Sequence, residues 1–260
     1  MRASGHRRFF DLIAGYVFKR TQVVANAIEL MQPLEDETAF VANNDFRVPK
    51  GMNMIGMALG IGGDLLLNEL DSPQLRGISR HWITPPENSD QVNTYGPTPN
   101  FLANPPKVRE GESLNAYVQA SSVGATTQLG VWLMNSVPSP IVGQDLRTIR
   151  GTVDHDYPAG QWGSAQITLD QDLPDGWYEV IGAKVAGAGQ FARLIFPDKQ
   201  NQRPMFPITT NSVTPWDQVF RYGKLGPMGR FQNFVAPKLE VYGEAATADQ
   251  TAYLDVVKMT

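Results

Sequence analysis

From Gln22 onward, short runs of apolar and β-branched residues recur, broken by Gly, Pro and Asn, and no helical period persists. The runs predict strands over 23–34, 40–48, 53–59, 65–70, 77–84, 114–120, 127–134 and 148–154. They continue over 164–170, 177–185, 192–196, 218–225, 237–242 and 252–258. In Gln128-Leu129-Gly130-Val131-Trp132-Leu133-Met134 and in Tyr253-Leu254-Asp255-Val256-Val257-Lys258, alternation draws a buried face. Many short strands without alternating helices predict an antiparallel β-sandwich rather than a parallel α/β sheet.

The first twenty residues read differently. Phe9, Leu12, Ile13, Tyr16 and Val17 fall at helical spacing, so residues 1–21 predict a short amphipathic helix. Residues 22–260 are then the sandwich. The helix is too short to span a bilayer, which takes about 20 apolar residues. Asp11 interrupts it, Lys19-Arg20 follows it, and no small-residue cleavage site appears, so a signal peptide is not expected.

Turn chemistry agrees with the strands. Leu173-Pro174-Asp175-Gly176 has the residues of a type I turn, and Ala186-Gly187-Ala188-Gly189 is expected to join two antiparallel strands tightly. Two stretches resist strand assignment. Residues 85–106 hold six of the 19 prolines, with Trp82, Tyr95 and Phe101 in or beside them. Residues 197–215 hold Pro197, Pro204, Pro207 and Pro215, with Phe206 inside and Trp216 just after. Ordered loops of this length are usually functional, and their aromatics favour contact with another surface; the alternative is folding back on the chain's own sandwich. A linker at Ser136-Val137-Pro138-Ser139-Pro140 offers a subdivision near 136–146, although no sequence repeat is visible across it.

Charge sharpens the picture. Formal net charge is −4, yet Arg2, Arg7, Arg8, Lys19 and Arg20 against Asp11 give the arm +4, leaving −8 on the body. A basic arm on an acidic body suits contact with nucleic acid or anionic lipid, or else is a solvated helix end. Charged residues are 18% of the chain against a usual ~25%, which favours an uncharged polar surface or one covered by partners.

Chemistry is sparse. With no Cys, thiolate nucleophiles, disulfides and Cys-ligated zinc are excluded, and three His leave little for a histidine metal site. Gly187-Ala188-Gly189-Gln190-Phe191-Ala192 has dinucleotide-loop spacing, but strand-like Arg193-Leu194-Ile195-Phe196 follows where a helix is required. Gly60-Ile61-Gly62-Gly63 lacks the Lys-Ser/Thr of a phosphate loop. Asp154-His155-Asp156 could hold a base or a ligand, but neighbouring strand residues face opposite ways, which favours a solvated strand end. Asp170-Gln171-Asp172 misses the calcium-loop spacing, with Pro174 and Ile181 where ligands belong; a looser calcium site stays open. His81, Trp82 and Glu87, with Asn88, Asn93 and Asn100, are a candidate glycan platform. Glu and Asp are scattered without a pairing that suggests acid–base catalysis, so no enzyme, cofactor or metal is expected.

An all-β chain of this size with a basic amphipathic arm, low charge, no Cys and long Pro-rich aromatic loops resembles the jelly-roll capsid proteins of tailless icosahedral viruses and phages. The resemblance is architectural and covers the whole chain. It implies eight strands in two facing sheets; since more strands are expected here than one jelly roll needs, the surplus decorates a single jelly roll or else the chain holds two small ones. It implies a structural, self-assembling subunit of the virion shell, made in the host cytoplasm, forming a trimer or higher capsomer and meeting other virion proteins. Trp82, Tyr95, Phe101, Phe206 and Trp216 would anchor neighbouring copies. Arg7, Arg8, Lys19 and Arg20 would face the interior and meet genome or an inner membrane. The rival expectation is a carbohydrate- or receptor-binding β-sandwich of a phage spike.

Overall fold

The computed structural model describes residues 13–35, 41–42, 45–75, 82–84, 86–87, 100–197, 203–209 and 212–259. The chain is all-β, with 53% strand against 3% helix, and its sheets are antiparallel in the main. Its strand ladders fall into two sets that meet nowhere: no ladder among the described residues joins a strand before Met134 to one after Leu146.

The first lobe holds β1 (Ile13–Thr21), β2 (Ile28–Leu30), β3 (Gln32–Pro33), β4 (Val41–Ala42) and β5 (Asp45–Phe46). It continues with β6 (Met54–Ile61), β7 (Leu65–Asp71), β8 (Trp82–Thr84), β9 (Pro86–Glu87), helix α1 (Asn100–Ala103), β10 (Asn115–Ala120) and β11 (Thr126–Met134). One sheet runs β3-β1-β11-β6-β9 and the facing sheet β2-β10-β7-β8, with β4 and β5 a small separate pair. Between the two sheets lie Tyr16, Phe18, Phe46, Ile55, Leu70, Val118 and Val131.

The second lobe holds β12 (Leu146–Val153), β13 (Trp162–Gln166), β14 (Thr168–Leu169), β15 (Trp177–Ala186) and β16 (Phe191–Ile195). It ends with β17 (Met205–Thr209), helix α2 (Asp217–Phe220), β18 (Gly229–Gln232), β19 (Lys238–Tyr242) and β20 (Gln250–Lys258). Its strands form one nine-stranded sheet in the order β13-β19-β16-β17-β15-β20-β12-β14, with β18 also on β15. The sheet is nearly closed into a barrel, because β13 and β14 are successive pieces of one run that pair with opposite ends of it.

The lobes repeat each other strand for strand. Apart from the separate β4–β5 pair, the successive runs of the first are β1, β2–β3, β6, β7, β8–β9, residues 106–108, β10 and β11; in the second they are β12, β13–β14, β15, β16, β17, β18, β19 and β20. The sixth run of the first lobe is defined by Ile55 donating to the Pro106 carbonyl at 2.9 Å and Val108 to Asn53 at 3.0 Å. In both lobes the first, eighth, third and sixth runs are neighbours in that order, and so are the second, seventh, fourth and fifth. In both the fifth run touches the third in parallel, through Gly60–Pro86 and through Val185–Ile208.

The outer face of the β1-β11-β6 sheet packs against the second lobe. Ile13, Val17, Met57, Leu59, Ile61 and Trp132 join Phe191, Met205, Phe206 and Phe220 in one core. That sheet is therefore buried on both sides, and its strands are apolar without alternation. Gly15 and Gly130 allow the close approach: a Cβ on Gly130 would stand 2.5 Å from the Phe191 ring, and one on Gly15 would collide with Met205.

Several sequence expectations are corrected here. Residues 13–21 of the expected helix are β1, paired with β11 along its whole length. Every residue from Ile13 to Phe18 is buried, so a 3.6 spacing could be traced through a run that has no polar face. The expected strand over 218–225 is α2 and the turn after it, and the expected loop over 197–215 contains β17. Ala186–Gly189 does not make a hairpin; β17 lies between β15 and β16, so the chain crosses over at those glycines.

Candidate functional site

The aromatic residues expected to anchor neighbours fall into two groups. Phe206 and Trp216 are 1% and 4% exposed and belong to the chain's own core, where both pack on Phe220. They are not available to another copy, because the loop that carries them folds back and contributes β17 and α2. Trp82 begins β8 and Phe101 lies in α1, while Tyr95 lies outside the described residues.

The cations are divided as well. Arg7 and Arg8 lie outside the described residues. Arg20 pairs with Glu29 at 2.6 Å, and Glu29 also accepts the backbone N–H of Val23 and Val24, so the pair closes the β1–β2 turn. Burial opposes the charge on Glu29, but these donors hold its carboxyl below the ordinary range. Lys19 lies against Gly160 of the second lobe, beside an open groove of about 270 Å³ lined by Arg20, Thr21, Gln32 and Pro33.

Two buried ion clusters went unforeseen in the sequence. Arg193 on β16 donates to Glu35 at 2.5 Å, to Glu240 at 2.8 Å and to the Gly15 carbonyl at 3.4 Å, with its guanidinium 3.8 Å from the Trp162 ring centre. Glu35 also pairs with Arg203 at 3.5 Å. This cluster ties the lobes together, and Trp132 donating to the Met205 carbonyl at 2.8 Å reinforces it. The second cluster holds the α2 loop to β15 and β20. Arg221 pairs with Asp255 at 2.6 Å and Asp217 at 3.4 Å, while Lys184 pairs with Asp217 at 3.2 Å and donates to the Ser212 carbonyl. Burial would raise the Asp217 carboxyl, but the Thr214 N–H and the Lys184 ammonium outweigh it and hold the group low. Tyr222 donates its N–H to Asp255 with φ at 60°, a left-handed conformation held by that bond. No short-range pattern announces either cluster, since partners such as Glu35 and Arg193 are far apart in sequence.

Where the lobes meet at one end, an open groove of about 510 Å³ is lined by Gly63, Asp64, Thr126, Gln190 and Glu244. Its Glu244 carboxylate accepts from Gln128 at 3.2 Å, and its backbone N–H donates to Gln190 at 2.8 Å. Nearby, burial and Glu244 push the Tyr242 phenol up to about 12, and burial raises Tyr157 further still, so both stay neutral at ordinary pH. Asp154, His155 and Asp156 are exposed, with His155 set edge-on to Tyr157. Asp170 pairs with Arg150, and Asp175 accepts from Asn233. Among the described residues no group of three or more His, Asp or Glu could hold a metal ion.

What stands out on the surface is apolar. Ile28 and Leu30 are 54% and 41% exposed on β2, and Leu66 on the neighbouring face of β7 is 49% exposed. Ile28 and Leu30 sit opposite Gln119 and Tyr117 of β10, and those pair onward with Leu67 and Glu69. Val23, Val24 and Val123 are exposed in the loops beside this face. The strand expected over 23–34 included Val23, Val24, Ile28 and Leu30, but a lone strand does not say which of its faces will be left uncovered.

No protein-family model, curated protein or solved structure matches this chain. The site has to be read from its own geometry.

Proposed function

We propose that the chain is a structural subunit of a virion shell, built as two jelly-roll units in tandem and assembling with copies of itself. The observation that carries this reading is the strand order. A jelly roll is an eight-stranded double sheet of two Greek keys, with its first, eighth, third and sixth strands in one sheet and its second, seventh, fourth and fifth in the other. Both lobes have that order. The low charge and the exposed apolar face on β2 and β7 support it, since a shell subunit covers much of its perimeter with neighbours.

The arm's role narrows under this reading. β1 runs from Ile13 at one end of the lobe to Thr21 at the other, about 26 Å away at 3.3 Å per residue. Lys19 and Arg20 therefore lie at the Thr21 end, and Arg20 is already neutralised by Glu29. Contact with enclosed genome or lipid is left to Arg7 and Arg8, since Arg20 is paired and Lys19 lies against Gly160.

Light scattering and negative-stain imaging of the purified chain test the reading. Particles, or discrete multimers that grow with concentration, are expected. A monomer at every concentration and ionic strength would overturn it.

A further inference from the structure

The α2 loop is shaped by its own short-range bonds. Asp217 accepts from the Thr214 backbone N–H at 2.7 Å and from the Thr214 hydroxyl at 3.1 Å, and the same carboxylate oxygen meets Lys184 of β15 at 3.2 Å. Between this turn, β15 and β17 lies a cavity of about 10 Å³. Its polar walls are Lys184, Thr209, Thr214, Trp216 and Asp217, and every residue that lines it is buried.

Two N–H donors at this cavity have no protein acceptor. The Trp216 indole N–H is buried and unpartnered, whereas the Trp132 indole donates to the Met205 carbonyl. The Lys184 ammonium carries three N–H groups and places two of them, on the Ser212 carbonyl and the Asp217 carboxylate. A buried donor left unanswered is costly, so both call for an acceptor in the space they share.

Size and charge decide which acceptor fits. A water molecule needs roughly 10–15 Å³ and two to four polar partners, which this cavity just supplies. Around it Lys184 and Arg221 are matched by Asp217 and Asp255, so the cluster has no net charge with which to hold an anion.

We propose that the cavity is a binding site for one ordered water, which accepts from Trp216 Nε1 and Lys184 Nζ and donates to the Thr214 hydroxyl. The water extends the hydrogen bonds of the buried ion cluster to the indole, so the α2 loop is seated on β15 and β17 partly through solvent. The site belongs to the isolated chain and does not depend on self-assembly.

NMR of the full chain, labelled with 15N at its five Trp indoles, tests the site. One indole signal is lost in Trp216→Phe, which assigns it. In the parent chain that proton should show a cross-peak to water, opposite in sign to the diagonal in the rotating frame, which separates dipolar contact from proton exchange. Its shift should stay constant as chloride is raised. A crystal structure of the parent chain keeps the test intact if Trp216→Phe unfolds. It should show one density peak about 2.7–3.2 Å from both Trp216 Nε1 and Lys184 Nζ, with no anomalous signal after a bromide soak. An indole proton without the water cross-peak, or a cavity without density, would mean a dry cavity and overturn the site. A chloride-dependent shift or a bromide signal would place an anion there and overturn the choice of water.

Discussion

Arg193 of the second lobe and Glu35 of the first lie 2.5 Å apart, with side chains 1% and 4% exposed, so a full ion pair is sealed where the lobes join. Its geometry is complete: Glu240, the Gly15 carbonyl and the Trp162 ring take up the rest of the guanidinium. Burying two charges is expensive, and such a pair contributes little net stability beside an apolar substitute, but removing one partner strands the other.

Arg193→Met should therefore destabilise the chain by about 3–5 kcal/mol, because Glu35 keeps only its longer contact with Arg203 and Glu240 loses the guanidinium. Adding Glu35→Gln should restore part of the loss. Denaturant unfolding of the two single variants and the double variant checks this; purely additive effects would mean the pair is not coupled.

Acid should act through Asp217. Its folded carboxyl lies below the ordinary value of about 3.9, so the stability it contributes is present above that value and disappears as pH falls through the lowered folded value. Urea midpoints of the parent and Asp217→Asn should differ most near neutral pH and converge below about pH 4. A gap unchanged down to pH 3 would exclude this linkage.

Gly130→Ala tests the fit between the lobes. The added methyl would stand 2.5 Å from the Phe191 ring, so the interface must open, at a cost of about 1–3 kcal/mol. Phe191→Leu should lessen the penalty of the methyl in a double-mutant cycle. Thermal unfolding provides the readout.

Trp216→Ala should behave as a core truncation. Trp216 is 4% exposed and stacks on Phe220 with ring centres 5.9 Å apart, so a loss of about 3–5 kcal/mol is expected. Poor assembly of this variant would then follow from unfolding, visible as a lowered midpoint of the isolated chain. A fully stable, assembly-deficient Trp216→Ala would contradict the burial described above.

Strands over 114–120, 177–185, 237–242 and 252–258 are legible in the sequence and lie close to β10, β15, β19 and β20. Local alternation and turn residues suffice for β10, β19 and β20, where burial alternates over most of the strand, while β15 is marked by its run of β-branched and apolar residues. β1 is the instructive exception. The β1–β11–β6 sheet is covered on both faces, so Ile13–Phe18 lost its alternation and could pass for a helix.

The ion clusters and the repeat were beyond reach for a different reason. Arg193 and Glu35 are 158 residues apart, and nothing local marks either as the other's partner. The lobes share register and a bulge, at Gly56 and at Ile181, yet carry different side chains at matched places, Gly15 against Thr148 and Trp132 against Asp255, because the matched faces have different neighbours. Backbone pairing can be preserved while side chains diverge to suit what covers them. Sequence alone thus determined that this is a β protein with few charges, no thiols and a basic N-terminal stretch. Tertiary packing decided which strands are covered twice and which aromatics are core, since burial is settled by what lies across the sheet and not by what lies next along the chain.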